Sequence, residues 1–234
     1  MSVRSISDSR APSAQAGWSG LAQRLVCGVV LLFVRLITGL RASGYPQRAP
    51  GCRRVYIANH RSHGDFALVW AALPEEERAV LRPVAGRDYW QRGAIRRFIA
   101  RTVFNALLIE RRPRERRDDP VPAMAAALER GHCLLVFPEG TRNDTDMPLL
   151  GFRNGIARFA QRCPEVEFVP VWIENLNRVL PKGEVLPVPL LCRAAFGQPL
   201  TIAEGESRAA FRDRLQGALL ALSDGPVEEG QSVS

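Results

Sequence analysis

Lysine is almost missing from this chain. Lys182 stands alone beside 31 arginines, so nearly every positive charge is a planar guanidinium, the side chain better suited to gripping phosphate or carboxylate. Histidine is scarce as well, with only His60, His63 and His132. The five cysteines, Cys27, Cys52, Cys133, Cys163 and Cys192, are odd in number and never stand at metal-ligand spacing. That argues against a disulfide scaffold or a zinc ribbon, and for small core residues in a reducing compartment. No apolar run reaches the roughly 20 residues of a membrane-spanning helix. No convincing small-residue cleavage site follows the first apolar segment, which argues against a signal peptide, and there is no internal repeat.

What is present is a chain of 234 residues with a formal net charge of +8, long enough for one α/β domain with a substantial core. The charge suits an anionic membrane surface, a phosphorylated substrate or nucleic acid. Residues 1–17 are rich in Ser, Ala and Arg without periodicity and read as a disordered N-terminus. Residues 18–41 are strongly apolar, and 25–34 form an uninterrupted run of ten between Arg24 and Arg35. Such a run is too short to span, but suits a helix in the membrane interface whose arginines reach the headgroups. A buried core helix is the plainer reading of the same residues.

Residues 42–222 read as the folded domain and 223–234 as a disordered acidic and polar tail. Strands are predicted near 55–58, 81–85, 106–109, 133–137, 166–173 and 190–196. Helices are predicted near 66–73, 89–102, 120–130, 153–162 and 207–222. Asp119-Pro120 supplies an N-cap followed by proline in the first turn, and Gly131 closes that helix. The alternation predicts an α/β fold: a mixed, largely parallel sheet flanked by helices, with a hydrophobic, membrane-associating helix at the N-terminus.

Residues 55–66, VYIANHRSHGDF, are the stretch around which the chain is organised. A strand that stops at Asn59-His60, with Asp65 five residues beyond His60 at a helix start, is suited to acid/base work. The carboxylate can accept the proton on one imidazole nitrogen and leave the other free to take a proton. The plain alternative is a capping box formed by Ser62 and Asp65. Glu110-Arg111, the stretch 139–142 and Glu174-Asn175 also follow predicted strands. In an open α/β sheet those strand ends share an edge, and ligands bind in the crevice outside it. A metallohydrolase built on His60, His63 and Asp65 lacks a second cluster of ligands. A non-catalytic basic protein coating membranes or nucleic acid leaves the four strand ends unexplained.

NHRSHGD (59–65) and FPEGTR (137–142) resemble the two signature motifs of the glycerophospholipid acyltransferases, which acylate glycerol-3-phosphate or 1-acyl-glycerol-3-phosphate. NALLIER (105–111), with Asn105 where a glycine is usual, FVPVWIE (168–174) and FRNG (152–155) are similar to the remaining blocks. They stand in the same order across residues 52–200. The resemblance implies that His60 is the general base and Asp65 its orienting partner. The acceptor hydroxyl would attack an acyl thioester directly, with acyl-CoA or acyl-carrier protein as co-substrate and no cofactor, metal or acyl-enzyme. Arg111 and Arg142, with backbone amides around Gly140 and Thr141, would hold the acceptor phosphate. Arg153 is a further candidate, and Glu139 would either touch glycerol hydroxyls or brace Arg142. The implied reaction converts 1-acyl-glycerol-3-phosphate to phosphatidic acid. Glycerol-3-phosphate, a lyso-aminolipid or another lysophospholipid are alternative acceptors. The expected partners are the anionic bilayer surface, the lysophospholipid and the thioester donor, with no nucleic acid. The expected station is the cytoplasmic face of the inner membrane, as a monotopic or peripheral protein.

Overall fold

The strand Arg54–Ala58 (RVYIA) is buried along its whole length, as a strand must be when both faces of its sheet are covered. Its residues alternate between two cores. Val55 and Ile57 face one, with Met124, Phe159, Phe168, Phe211 and Leu215. Tyr56 and Ala58 face the other, with Leu68, Val69, Leu135 and Val171. The computed structural model describes residues 16–87, 93, 104–110, 119–175 and 191–223, with side chains from residue 24 onward.

In chain order the described elements are α1 (Ala16–Thr38), β1 (Arg41–Ser43), β2 (Arg54–Ala58), α2 (Asp65–Ala72), α3 (Glu75–Val80), β3 (Leu81–Gly86) and β4 (Leu107–Ile109). There follow α4 (Pro120–Glu129), β5 (Cys133–Val136), α5 (Gly155–Arg162), β6 (Glu167–Glu174), β7 (Arg193–Phe196) and α6 (Arg208–Leu220). Seven strands form one sheet in the order β1-β7-β6-β2-β5-β3-β4. β6, β2, β5, β3 and β4 are mutually parallel, β7 runs antiparallel to β6, and β1 is parallel to β7. The α/β, mixed and largely parallel sheet flanked by helices is therefore as expected. Asp119 caps α4 by accepting from the Val121 N–H at 3.1 Å, with proline in the first turn, and Ser207 caps α6 through Ala210 N–H.

Two elements were not foreseen. β1 lies in the Pro/Gly/Arg linker and has only three residues; its pairing with β7, not its own apolarity, makes it a strand. α3 occupies what reads as an acidic turn. Pro74 at its N-cap and three glutamates in its first turn suit a helix N-terminus, but six residues carry little periodicity. The predicted helix 89–102 lies outside the described residues, apart from Gly93 in a bend.

α1 covers the Tyr56 side of the sheet. Val26, Val30, Leu31, Val34 and Ile37 pack against that core, so the core-helix reading holds for one face. The other face carries Leu25, Val29, Leu32, Phe33 and Leu36, 59–73% exposed. Among the described residues, no helix is long and apolar enough to cross a membrane.

Candidate active site

β2 ends at Ala58, and the next residue fastens it sideways. Asn59 is buried; its Nδ2 donates to the Ile173 carbonyl (2.9 Å) and its Oδ1 accepts from Ile173 N–H (2.7 Å). This ties the end of β2 to β6 beyond their last ladder pair, Ala58 with Val171. The chain turns through residues 60–64 and enters α2 at Asp65. One oxygen of Asp65, Oδ2, accepts from Arg61 N–H at 2.7 Å and Ser62 N–H at 2.8 Å, and lies 2.8 Å from His60 Nδ1.

A buried carboxylate oxygen already fixed by two backbone donors presents an acceptor to the imidazole. Nδ1 therefore carries the proton, and Nε2 keeps its lone pair. The capping-box reading is half right. Asp65 does reach back to Ser62 N–H, but Ser62 Oγ accepts from Gly64 N–H at 3.2 Å, and Gly64 is the N-cap. Helix start and histidine support are thus one device sharing one oxygen.

His60 is held equally firmly from the next strand. Its N–H donates to Glu139 Oε1 at 2.7 Å, and its carbonyl accepts from Asn143 N–H at 2.6 Å. Its ring stacks on Phe137, with centroids 4.3 Å apart and planes 23° apart. The other oxygen of Glu139 accepts from Leu150 N–H at 2.9 Å. Glu139 is 3% exposed, and both its oxygens hold backbone donors. It makes no hydrogen bond or ion pair with Arg142: it braces His60, a role that reading the motif as a linear string does not reveal. Burial pushes its carboxyl up from the usual range, opposed by the N–H groups of Leu150 and His60 and by the nearby His60 and Arg61.

After Glu139 the backbone turns through Gly140 at φ +71°, a conformation glycine adopts without strain. The Gly140 N–H donates to the Phe137 carbonyl at 3.1 Å, so this amide is not available to a phosphate as expected. A Cβ at Gly140 would overlap the Arg153 side chain. Arg153 N–H donates to the Pro138 carbonyl at 2.9 Å and its Nε to the Glu139 carbonyl at 3.1 Å. Arg153 is therefore fastened directly to the 137–142 motif, and its Nη groups make no hydrogen bond or ion pair with a described residue. Thr141 and the half-buried Arg142 make no hydrogen bond or ion pair with any described residue.

Arg111 lies outside the described residues. Glu110 is described, after β4, three strands from β2, or about 14 Å across the ladder. Asn105, the departure from a usual glycine, adopts φ +45°, which Asn tolerates better than most residues.

Asn59, Arg61 and Asn143 were not singled out as supports. Arg61 Nη2 donates to the Met147 carbonyl at 2.6 Å. Asn143 accepts from Thr145 N–H and Oγ1 and donates to Met147, organising the loop beside His60. The Asn/Asp-rich string NDTD signals such a turn, but not its docking on Arg61. Among the described residues, no three His, Cys, Asp or Glu side chains are grouped to hold a metal ion.

The assembly is an imidazole whose Nε2 has no partner among the described residues, an acceptor behind its Nδ1, and two arginines, Arg142 and Arg153, carried by the segment whose Glu139 and Asn143 hold the His60 backbone. This can deprotonate a hydroxyl on a molecule held by its anionic group. No curated protein sequence matches the chain. The crystal structure of the 1-acyl-sn-glycerophosphate (LPA) acyltransferase PlsC from Thermotoga maritima is similar in fold, with a TM-score of 0.68 and 19% identity over 91% of this chain and 84% of that one. The model of the acyltransferase family matches residues 41–174, more than half of the sequence and the strand ends from Asn59 to Glu174, and the chain belongs to that family.

Proposed function

We propose that this acyltransferase moves an acyl chain from a thioester to the free hydroxyl of a phosphate-bearing lysolipid, with 1-acyl-glycerol-3-phosphate as acceptor and phosphatidic acid as product. The observation that carries the reading is the His60–Asp65 pair, which leaves Nε2 without a partner among the described residues, on a segment shared with Arg142 and with Arg153, whose Nε holds the Glu139 carbonyl. The fold relative bears the name of this acceptor, which supports the choice without fixing it.

In the proposed reaction the acceptor oxygen attacks the thioester carbonyl carbon as Nε2 takes its proton. Asp65 stabilises the imidazolium that forms. The tetrahedral intermediate collapses, the C–S bond breaks, and the imidazolium returns the proton to the departing thiolate. Bidentate guanidinium contacts on the phosphate fix the hydroxyl within reach of the base. The test is an acceptor panel assayed for thiol release and lipid product. Lysophosphatidate should turn over fastest; preferred use of a lyso-aminolipid or of glycerol-3-phosphate would reassign the acceptor.

The reading extends to where the enzyme works, monotopic on the cytoplasmic face of the inner membrane, where thioester donors and acceptor meet. Leu25, Val29, Leu32, Phe33 and Leu36 lie on one face of α1, pointing away from the core. Exposed apolar stripes of this kind are interaction surfaces. The Thr38 carbonyl at the end of α1 accepts from Cys192 N–H at 2.7 Å, next to the pairing of Arg193 with Glu174 at the end of β6. The stripe thus leads to the sheet edge that carries His60, where Leu191 is also exposed. A double substitution, Leu32→Glu with Phe33→Glu, leaves the packed face of α1 intact and should release the protein from membranes. Full sedimentation of that variant with membranes in high salt would sink the idea.

A further inference from the structure

Residues 139–143 hold His60 from both ends. Glu139 Oε1 accepts from the His60 N–H at 2.7 Å, and the His60 carbonyl accepts from the Asn143 N–H at 2.6 Å. Between these two clasps stand Gly140, Thr141 and Arg142, and the last of them is a cation without a partner among the described residues. An anion that grips Arg142 therefore pulls on a stretch of chain tied at both ends to the base.

The second clasp reaches further than the first. Its donor belongs to the peptide unit joining Arg142 to Asn143, and its acceptor to the unit joining His60 to Arg61. Each unit is a rigid plane. The other end of the His60–Arg61 unit, the Arg61 N–H, donates to Asp65 Oδ2 at 2.7 Å, and that same oxygen lies 2.8 Å from His60 Nδ1. An unbroken line of hydrogen bonds thus runs from the backbone of Arg142 to the ring nitrogen that orients the base. Hydrogen bonds in such a line reinforce one another.

Asn143 aims the start of that line. It is 4% exposed, and its side chain braces its own turn. Oδ1 accepts from Thr145 N–H at 3.0 Å and Thr145 Oγ1 at 2.7 Å, and Nδ2 donates to the Met147 carbonyl at 2.7 Å. Arg61 ties the same carbonyl back to the His60 turn through Nη2 at 2.6 Å. We propose that Asn143 is a positioning residue, coupling the acceptor phosphate at Arg142 to the imidazole of His60, so that the phosphate speeds the transfer step as well as tightening binding. The inference rests on the phosphate-bearing acceptor proposed above. Binding energy from a part of the substrate that does not react is converted into orientation of the base.

The test takes the phosphate off the acceptor. The full chain in detergent micelles receives a thioester donor and 1-acylglycerol, which has the hydroxyl but no phosphate, with and without inorganic phosphite as the missing dianion. Phosphite should raise wild-type turnover about 5–150-fold, the usual span of coupling between two sites. Asn143→Ala, and Thr145→Val at the exposed end of the turn, should lose most of this ratio, read within each protein. Phosphite should still compete with the phosphorylated acceptor in both variants with an unchanged inhibition constant, because Arg142 is intact. A readout independent of turnover is the nitrogen NMR signal of the His60 ring, which phosphite should shift in wild type but not in Asn143→Ala. An unchanged ratio and the same ring shift in the variants, whatever the fall in absolute turnover, would make Asn143 structural only and overturn the proposal. So would phosphite that competes in wild type without activating it or shifting the ring. Phosphite that neither activates nor competes, with no preference for a phosphorylated acceptor, would overturn the proposed function instead.

Discussion

Two buried-to-surface arginine environments at opposite ends of the same sheet show how structure and site are separated here. Arg54, at the start of β2, is 1% exposed. Its guanidinium is spent on Glu167, through Nε at 3.1 Å and Nη2 at 2.7 Å, and on the carbonyls of Pro46 and Gln47. Nearby, Glu77 accepts from Tyr56, Arg48 and Cys133. Burial pushes the Cys133 thiol up to about 12, with the Glu77 charge adding to the effect. Arg142, just beyond β5, has no such partner among the described residues. One end of the sheet has closed its polar groups on one another. The other has fixed His60, Asp65 and Glu139 and leaves Arg142 without a partner among the described residues, as the proposed anion site requires.

The largest expected effect breaks the site end. His60→Ala should lower turnover about 10²–10⁴-fold, and Asp65→Asn by a similar order, because an amide cannot hold the Nδ1–H tautomer and accept from both backbone donors equally well. Near-normal turnover by a folded His60→Ala protein would remove His60 from the mechanism.

The comparison itself is broken by exchanging consequences. Arg54→Met should cost about 1–3 kcal/mol of stability by taking the guanidinium from Glu167 and from two carbonyls, read as a shift in denaturant midpoint. Arg142→Ala should leave that midpoint in place while raising the KM of a phosphorylated acceptor about 10–150-fold, the worth of one hydrogen bond to a charged group. Arg153→Ala should do the same more weakly. If Arg142→Ala unfolds the protein and Arg54→Met does not, the division between the two ends is wrong.

The largely parallel sheet, the position of His60 and Asp65 and the cap of α4 were all legible in the sequence, because each depends on local pattern. Strand ends, proline and a capping aspartate announce themselves within a few residues. What stayed hidden depends on contacts across sequence. The use of Glu139 on the backbone of His60 spans 79 residues, and the clasp of Asn59 on Ile173 spans 114. No linear motif states which atoms of a glutamate are engaged. β1 was invisible for the same reason, since β7 is what makes it a strand.

Glu139→Gln sharpens the comparison from within the site. Gln offers one acceptor oxygen where two backbone donors, His60 N–H and Leu150 N–H, need one each. Its NH2 must therefore oppose one of them. A stability loss of about 1–3 kcal/mol should accompany a fall in kcat, with little change in acceptor KM. A selective rise in acceptor KM would show instead that Glu139 touches substrate.

The smallest effect concerns His132, which belongs to the closed end, just before β5, and yet departs from its rule. Its Nδ1 is buried without a hydrogen-bond partner. Burial lowers its pKa from the ordinary 6.5, helped by the facing Arg82 and Arg130 and opposed by a hydrogen bond to the Val80 backbone. Above that ordinary value the ring is neutral in both folded and unfolded chains and costs nothing. As pH falls through it, the unfolded chain takes up a proton that the folded one resists, so stability declines until the folded ring also protonates. His132→Leu should flatten this part of the pH profile, read as denaturant midpoints between pH 7 and pH 5, while leaving the steeper loss at lower pH. That later loss belongs to carboxylates such as Glu167. Although burial raises its pKa, hydrogen bonds from Arg54 and Cys52 hold it below the ordinary value, so its contribution disappears only on further acidification. Identical slopes for wild type and His132→Leu across that window would show that the imidazole finds a partner in solution, and that the closed end is closed throughout.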